Sequence, residues 1–149
     1  MKYKSLNVSV SLLAMVVLVS AACRVHAQDP PRSAAEDLGD TSWQLVKFHG
    51  GDDTILIPDE SSKYTITFAV DGRLNVRIDC NRGGGSWKSS GPNQLRFGLL
   101  ALTRAACPPG SLHDHIVEHW EFVRSYTITK GHLFLSLMAD GGTYEFEPE

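Results

Sequence analysis

Apolar and polar residues alternate with a period of two in several short runs of this sequence. Such alternation is typical of β-strands with one face buried and the other in water. Most of the runs are followed by a turn signal that contains glycine. The pattern predicts short antiparallel strands joined by hairpins, with inward-facing residues at 43–45, 64–68, 74–78, 95–97, 126–128, 133–137 and 144–146.

The loops between these runs predict which residues pair. A three-residue loop that ends at Gly72 pairs Phe68 with Leu74 and keeps the apolar faces together. Glycine supplies the left-handed conformation that such a loop requires. Two-residue loops at 130–131 and 140–141 likewise keep the apolar faces together in the last two hairpins. They predict the pairs Ile128 with Leu133 and Leu137 with Tyr144.

The segment 111–125 has a helical period instead. Ser111 is its predicted N-cap, and Asp114, three residues later, is the capping-box partner. One face of the predicted helix is an apolar stripe of Leu112, Ile116, Val117, Trp120 and Val123. The expected fold class is therefore α+β: a strongly curved antiparallel β-meander of about eight short strands, curled into a cracked or partly closed barrel, with one inserted α-helix.

The N-terminus resembles an export leader. A basic start, a mostly apolar stretch at 8–22 and small residues up to Ala27 predict a signal peptide over residues 1–27, cleaved after Ala27. A competing interpretation makes Cys23 a lipidated N-terminus. We expect an exported, periplasmic protein that contacts a membrane only if Cys23 is acylated, which would make it a lipid-anchored envelope protein.

The remaining chain suits one domain. Residues 28–40 are rich in proline, serine, alanine and acids and predict a flexible linker, which leaves a folded domain over residues 41–147. The formal net charge of the whole chain is −3 at pH 7. The predicted leader contains basic but no acidic residues, so its removal makes the domain more acidic. Such an acidic domain makes a nucleic-acid partner unfavourable. We expect a monomer with one core.

Cys80 and Cys107 follow the leader, and an oxidising compartment predicts a disulfide between them. Cys80 also keeps the inward parity of the strand before it. Two buried free thiols are the alternative. The three glycines at 83–85 predict a structural bend or a close backbone approach, since a phosphate-binding loop would need a helix directly after them. The apolar segment 100–107 is expected to be a helical turn or a covering loop.

The predicted helix also contains the sequence H-x-x-E-H, from His115 to His119. This spacing places two imidazoles one turn apart beside a carboxylate, as in inverted zinc peptidases. A catalytic zinc needs a third protein ligand, and no residue is placed for that role by spacing. We expect a solvated helix face with no metal and no cofactor. A zinc-dependent hydrolase that uses His115 and His119 is the alternative.

Two motifs resemble the META domain (HslJ-like) family: Cys80-Asn81 followed by glycines, and the segment Leu102-Thr103-Arg104-Ala105-Ala106-Cys107. The resemblance covers roughly residues 40–146 and makes Asn81, Thr103 and Arg104 family-motif residues. It implies a compact α+β domain with a curved sheet, often exported or lipid-anchored in bacteria. No enzyme activity is established for the family, so the resemblance carries no catalytic residue over to this chain.

Three functions are open at this stage. The first is a non-catalytic, stress-related envelope domain that binds an envelope protein or acts as a stability factor. The second is a binder of a small apolar ligand or lipid in a barrel cavity, because one member of the family has been likened to a lipid-binding pilot protein. The third is the zinc-dependent hydrolase. Purified protein carrying lipid or metal would distinguish the last two from the first.

Overall fold

The computed structural model describes residues 37–149. The predicted signal peptide, its cleavage site after Ala27, Cys23 and most of the predicted linker lie outside the described residues. These residues form ten strands: β1 (Thr41–His49), β2 (Ile55–Leu56), β3 (Tyr64–Phe68), β4 (Arg73–Ile78), β5 (Asn81–Lys88), β6 (Arg96–Phe97), β7 (Ala101–Leu102), β8 (Val123–Thr129), β9 (His132–Leu137) and β10 (Thr143–Pro148).

The α-helix α1 (His113–His119) separates β7 from β8 and continues into a 3-10 turn at Trp120–Phe122. Further 3-10 turns lie at Ser61–Lys63 and Met138–Asp140. No helix within residues 37–149 is long and apolar enough to cross a membrane.

The strands follow one another around the sheet in chain order. The sheet order is β6-β5-β4-β3-β1-β10-β9-β8, with β2 added beside β1 and β7 beside β5. Strand β1 therefore pairs with β3 on one side and with the last strand, β10, on the other. Followed as a circle, this is an eight-stranded meander with one open joint, between β6 and β8. The predicted fold class, a partly closed barrel with an inserted helix, is confirmed.

The joint between β6 and β8, which we call the seam, is bridged by two backbone hydrogen bonds. The Leu95 N–H donates to the Arg124 carbonyl at 2.9 Å, and the Tyr126 N–H donates to the Asn93 carbonyl at 2.9 Å. In the sequence, helix α1 lies between β6 and β8, the two strands that border this seam. The helix segment carries the chain from one border of this seam to the other, and the 3-10 turn at its end packs against β6 through Trp120.

Two of the predicted hairpins have the expected register. Phe68 pairs with Leu74, and Gly72 is left-handed with φ of 84°. Ile128 pairs with Leu133 across a two-residue loop. Both loop residues there have positive φ, as the tight turns that match the twist of a hairpin require.

The third predicted hairpin is wrong by two residues. Tyr144 pairs with Leu135 rather than with Leu137. The loop is longer than predicted because Met138–Asp140 forms a 3-10 turn in which Ala139 and Asp140 have positive φ. A shift of two residues preserves the face of every side chain, so the apolar residues still point inward.

The predicted bend at the glycine run is also wrong. Gly83, Gly84 and Gly85 lie within β5, and the chain reverses earlier, at Asp79-Cys80, where Asp79 has φ of 53°. The alternative, a close backbone approach, is what the structure contains. A Cβ on Gly85 would lie 2.9 Å from the Leu99 carbonyl oxygen, and one on Gly83 would overlap the backbone of β7. The segment 100–107 is a covering loop that contains β7.

Leu38, which lies within the predicted linker, has no exposed surface and packs in the core. The Thr41 hydroxyl donates to the Leu38 carbonyl at 2.5 Å, which connects this segment to β1. The core otherwise contains the expected inward-facing residues, including Leu45, Tyr64, Ile66, Phe68, Leu74, Val76, Ile78, Leu95, Tyr126, Leu133, Leu135, Leu137, Tyr144 and Phe146.

The helix is shorter than predicted. It starts at His113, and the Ser111 hydroxyl accepts a hydrogen bond from the His113 N–H at 3.1 Å. Asp114 contacts the His113 ring at 2.8 Å and does not complete the predicted capping box. Val123 already belongs to β8, and Val117 of the predicted apolar stripe is 38% exposed. Ile128, predicted to face inward, is likewise 39% exposed.

Trp120 connects the end of the helix to the seam. Its indole stacks on Phe97 of β6 with ring centroids 4.3 Å apart, and its Nε1–H donates to the Gly98 carbonyl at 3.1 Å. The side chain is 8% exposed. Trp120 therefore packs the inserted helix against one border of the open joint.

We predict that Trp120→Ala lowers the free energy of unfolding by about 3–5 kcal/mol, the usual loss for a buried large aromatic side chain. Denaturant unfolding would measure the loss. Val117→Ala, on the same segment but at an exposed position, is the matched control and should change stability by less than about 1 kcal/mol. Equal effects of the two substitutions would show that the indole does not support the seam.

Candidate functional site

The predicted disulfide between Cys80 and Cys107 is present, with Cα atoms 5.4 Å apart and 27 residues of separation along the chain. Cys80 occupies the β4–β5 turn and is only half buried, so the predicted inward strand parity is not what positions it. Cys107 ends the covering loop. The bond thus ties that loop to a hairpin turn, and the chain-entropy argument assigns a cross-link of this span roughly 3.5 kcal/mol.

Asn81 completes the attachment of the covering loop. Its side-chain oxygen accepts hydrogen bonds from the Thr103 hydroxyl at 2.9 Å and from the Ala105 N–H at 2.8 Å. Its Nδ2 donates to the Ala105 carbonyl at 3.0 Å and lies 3.3 and 3.4 Å from the two cystine sulfurs. The side chain is 1% exposed. An amide has both donors and acceptors, so Asn81 can bind both polar groups of one loop residue.

The other two motif residues differ in their surroundings. The Thr103 hydroxyl accepts from the Arg82 N–H at 3.0 Å while the Thr103 N–H donates to the Arg82 carbonyl at 2.9 Å. Arg104 is exposed. Asn81, Thr103 and the cystine therefore form a structural cluster that holds the covering loop, and Arg104 projects from it into solvent.

We predict that Asn81→Ala lowers the free energy of unfolding by at least about 2 kcal/mol, because it removes the three hydrogen bonds by which the buried amide holds the covering loop. Asn75→Ala, at an exposed position of the adjacent strand, is the control and should remain within about 0.5 kcal/mol of wild type. Thermal or denaturant unfolding under oxidising conditions separates the two. A tolerated Asn81→Ala would mean that the disulfide alone holds the loop.

The two histidines of the H-x-x-E-H sequence do not lie on a solvated face, which corrects the prediction. Both rings are half buried. His115 packs edge-on against Phe48 with ring centroids 4.4 Å apart. The Nδ1 atoms of His115 and His119 lie 3.3 Å apart, and His119 Nδ1 is 2.8 Å from the His115 carbonyl oxygen. The His119 Nδ1–H therefore donates to that carbonyl, within the helix.

Phe48 was missed because the strand is irregular. A bulge between Leu45 and Lys47 shifts the register of β1, so the alternation that starts at Trp43 changes face. Phe48 is buried as a result, although strict alternation from Leu45 would turn it outward. No local sequence signal marked Val46 as the extra residue of a bulge.

The histidine pair borders an open cleft of about 440 Å³. Asp52 and Asp140 line the same cleft, together with Gly50 and Gly51 of the β1–β2 loop. Within residues 37–149, however, no three histidine, cysteine or carboxylate side chains converge as a metal-binding group. Catalytic zinc requires three protein ligands, so His115 and His119 alone do not form a zinc hydrolase site.

Burial lowers the pKa of His115 below its ordinary value of 6.5. The neighbouring His119 lowers it further, and Glu118 acts in the opposite direction. The neutral imidazole is thus the form that the packed helix favours.

We predict that the fold loses stability as the pH falls below 6.5, because the unfolded chain then takes up the His115 proton before the folded protein does. The contribution is full above that pH and declines by at most about 1.4 kcal/mol per pH unit for one proton. Comparing denaturant unfolding of wild type and His115→Gln between neutral and mildly acidic pH isolates this histidine. The stability difference should shrink on acidification, and two parallel curves would contradict the assignment.

The barrel interior is nearly filled. Its cavity has a volume of about 40 Å³ and is lined by inward-facing residues of the sheet, including Leu45 and Tyr144, and by Ile116 and Trp120 from the helix segment. The Tyr144 hydroxyl is buried and has no hydrogen-bond partner among the described residues. Burial strongly raises the pKa of this phenol. A space of this size is far below the roughly 300–1,000 Å³ of small-molecule pockets.

These features define a class: a small, disulfide-tied β-barrel with a filled interior and no converging metal-binding group within the described part of the chain. The chain belongs to the META domain family, whose family model matches residues 36–149. This family is not a known enzyme family.

Three solved structures are similar to the chain, of which two are described. An NMR structure of a protein from Burkholderia xenovorans is 26% identical, with 83% of this chain and 92% of that chain covered and a TM-score of 0.66. A crystal structure of a DUF4847 family protein from Bacteroides vulgatus is 17% identical, with 77% and 96% covered and a TM-score of 0.58. The latter likeness concerns the fold alone. No curated protein sequence matches the chain.

Proposed function

We propose that this protein is a non-catalytic, exported envelope domain that acts through surface contacts, as an interaction or stability factor under stress. The observation that carries the proposal is the Cys80–Cys107 disulfide. Structural disulfides persist in oxidising compartments, and the leader at residues 1–27 supplies the route to one. We place the mature protein in the periplasm, with anchoring through Cys23 as the alternative.

A role without catalysis is supported by the chemistry of the candidate groups. Both cysteines after the leader are joined to each other, which removes the thiolate that a cysteine nucleophile would need. The histidine pair supplies two potential metal ligands, of which His119 Nδ1 donates to a carbonyl. The covering loop is tied down by Asn81 at several points. Together, these groups serve the stability of the domain.

The alternative of an apolar ligand inside the barrel finds less support. The interior cavity of about 40 Å³ has room for little more than water. An acyl chain would require displacement of Ile116 or Trp120, which line the cavity from the helix side. A binding partner is therefore better accommodated on the outer surface of the barrel.

We predict that the protein, expressed with its own leader in a Gram-negative bacterium, is released with the periplasmic fraction, begins at Gln28 and contains no free thiol. Intact mass with and without reductant measures the last two properties. The matched control is Cys23→Ser, which should leave processing unchanged. Diacylglyceryl at Cys23, lost in this variant, would select the lipid-anchored alternative. Cytoplasmic protein with the leader attached and two reactive thiols would refute export.

A further inference from the structure

The charge of the domain is unevenly distributed. In strands β4, β5 and β6 the residues that alternate with the core point to the outside of the barrel. Five of these outward positions are basic, and Arg104 follows β7 beside them. We call this surface the basic face: Arg73, Arg77, Arg82, Lys88, Arg96 and Arg104. It belongs to a chain whose formal net charge is −3.

Like charges oppose each other directly on this face. Arg77 pairs with Arg82 across β4 and β5, and Lys88 pairs with Arg96 across β5 and β6. Cross-strand pairs of like charge destabilise a sheet. The fold therefore gains nothing from this arrangement, which is typical of a surface retained for binding.

Few carboxylates neutralise the basic face. Asp71 pairs with Arg73 at 2.7 Å in an exposed position. Arg77 is partly occupied, because its guanidinium donates to the backbone carbonyls of Asp79 and Ser62 at 3.3 and 3.2 Å. Among residues 37–149, the side chains of Arg82, Lys88, Arg96 and Arg104 form no salt bridge.

The opposite wall of the barrel has a different pattern. On β1, β9 and β10, Lys47 and His132 both contact Glu145, at 3.2 and 2.9 Å. The Lys47 ammonium on that wall is therefore locally neutralised. Within residues 37–149, most of the Lys and Arg side chains that form no salt bridge lie on the basic face, and Arg124 of β8 and Lys130 of the β8–β9 loop lie elsewhere.

Two exposed aliphatic residues border the basic face. Leu99 is 97% exposed, and its neighbour Gly98 donates its N–H to the Ser86 carbonyl of β5 at 2.7 Å. Val70 is 62% exposed in the β3–β4 loop. That loop adjoins the same end of β5, since the Trp87 N–H donates to the Gly72 carbonyl at 2.8 Å.

We propose that the basic face docks on the surface of a bilayer that contains anionic phospholipid. The guanidinium groups contact lipid phosphates, and Leu99 and Val70 enter the boundary between head groups and acyl chains. The exposed aliphatic side chains favour a bilayer over a nucleic acid, and the basic face has no outward aromatic side chain for base stacking. The inference deepens the proposed function, on which it rests, by naming the surface that the exported domain meets.

The test is co-sedimentation of the mature protein with phosphatidylcholine vesicles, with or without phosphatidylglycerol. Wild type should bind only the anionic vesicles, and salt should weaken binding. Arg82→Glu with Arg96→Glu should weaken binding by at least about tenfold, since each basic residue near an anionic surface contributes to attraction. Lys47→Glu with Lys130→Glu changes the net charge equally on other surfaces and should retain most of the binding.

Leu99→Ser should weaken vesicle binding several-fold without altering thermal unfolding, because the leucine is already exposed in the folded protein. Equal binding to neutral vesicles, no binding at all, or equal losses in the two charge-reversed variants would overturn the proposal. Equally tight binding to double-stranded DNA would show that the basic face binds polyanions in general, and it would overturn the assignment to a bilayer. Vesicle binding is measured on purified protein, so a failure to bind would overturn the docking proposal and leave the proposed export intact. Retention of the protein in the cytoplasm would refute export and leave the vesicle result unchanged.

Discussion

The pairing of the first strand with the last closes this fold. Strand β1 lies between β3 and β10, and Trp43 is opposite Pro148 at the far end of the chain. All other pairings join strands that are near neighbours in the sequence, so only β1 converts two separate meanders into one curved wall. The remaining joint is the seam, and Trp120 packs the inserted helix there against Phe97.

The sequence predicted what depends on neighbouring residues. The Phe68–Leu74 pair follows from parity and from a glycine at the left-handed loop position. The last hairpin was misjudged because Ala139 and Asp140 adopt left-handed conformations that no glycine signals. A local rule selects the shortest loop consistent with parity. It cannot distinguish that loop from a longer loop that shifts the strand register by two residues, because both keep the same faces inward.

The roles of the glycine run and of Asn81 could not be predicted from neighbouring residues, since they depend on a segment about twenty residues away. Gly83 and Gly85 are required by the close approach of the backbone around Leu99 and Ala101. Asn81 binds both backbone polar groups of Ala105, a contact that spacing could not predict. The resemblance to META domains identified Cys-Asn as a motif, but only the geometry explains it. The amide replaces the sheet partner that the covering loop lacks.

These constraints bear on where the domain can act. The interior is used for packing, because a cavity of about 40 Å³ remains between the sheet and the helix. The cystine and Asn81 hold the covering loop in place. What is left to vary without cost to the core is the outward position of each strand. Cations placed directly opposite each other at such positions oppose the stability of the sheet. They are therefore better explained by an external anion than by the fold.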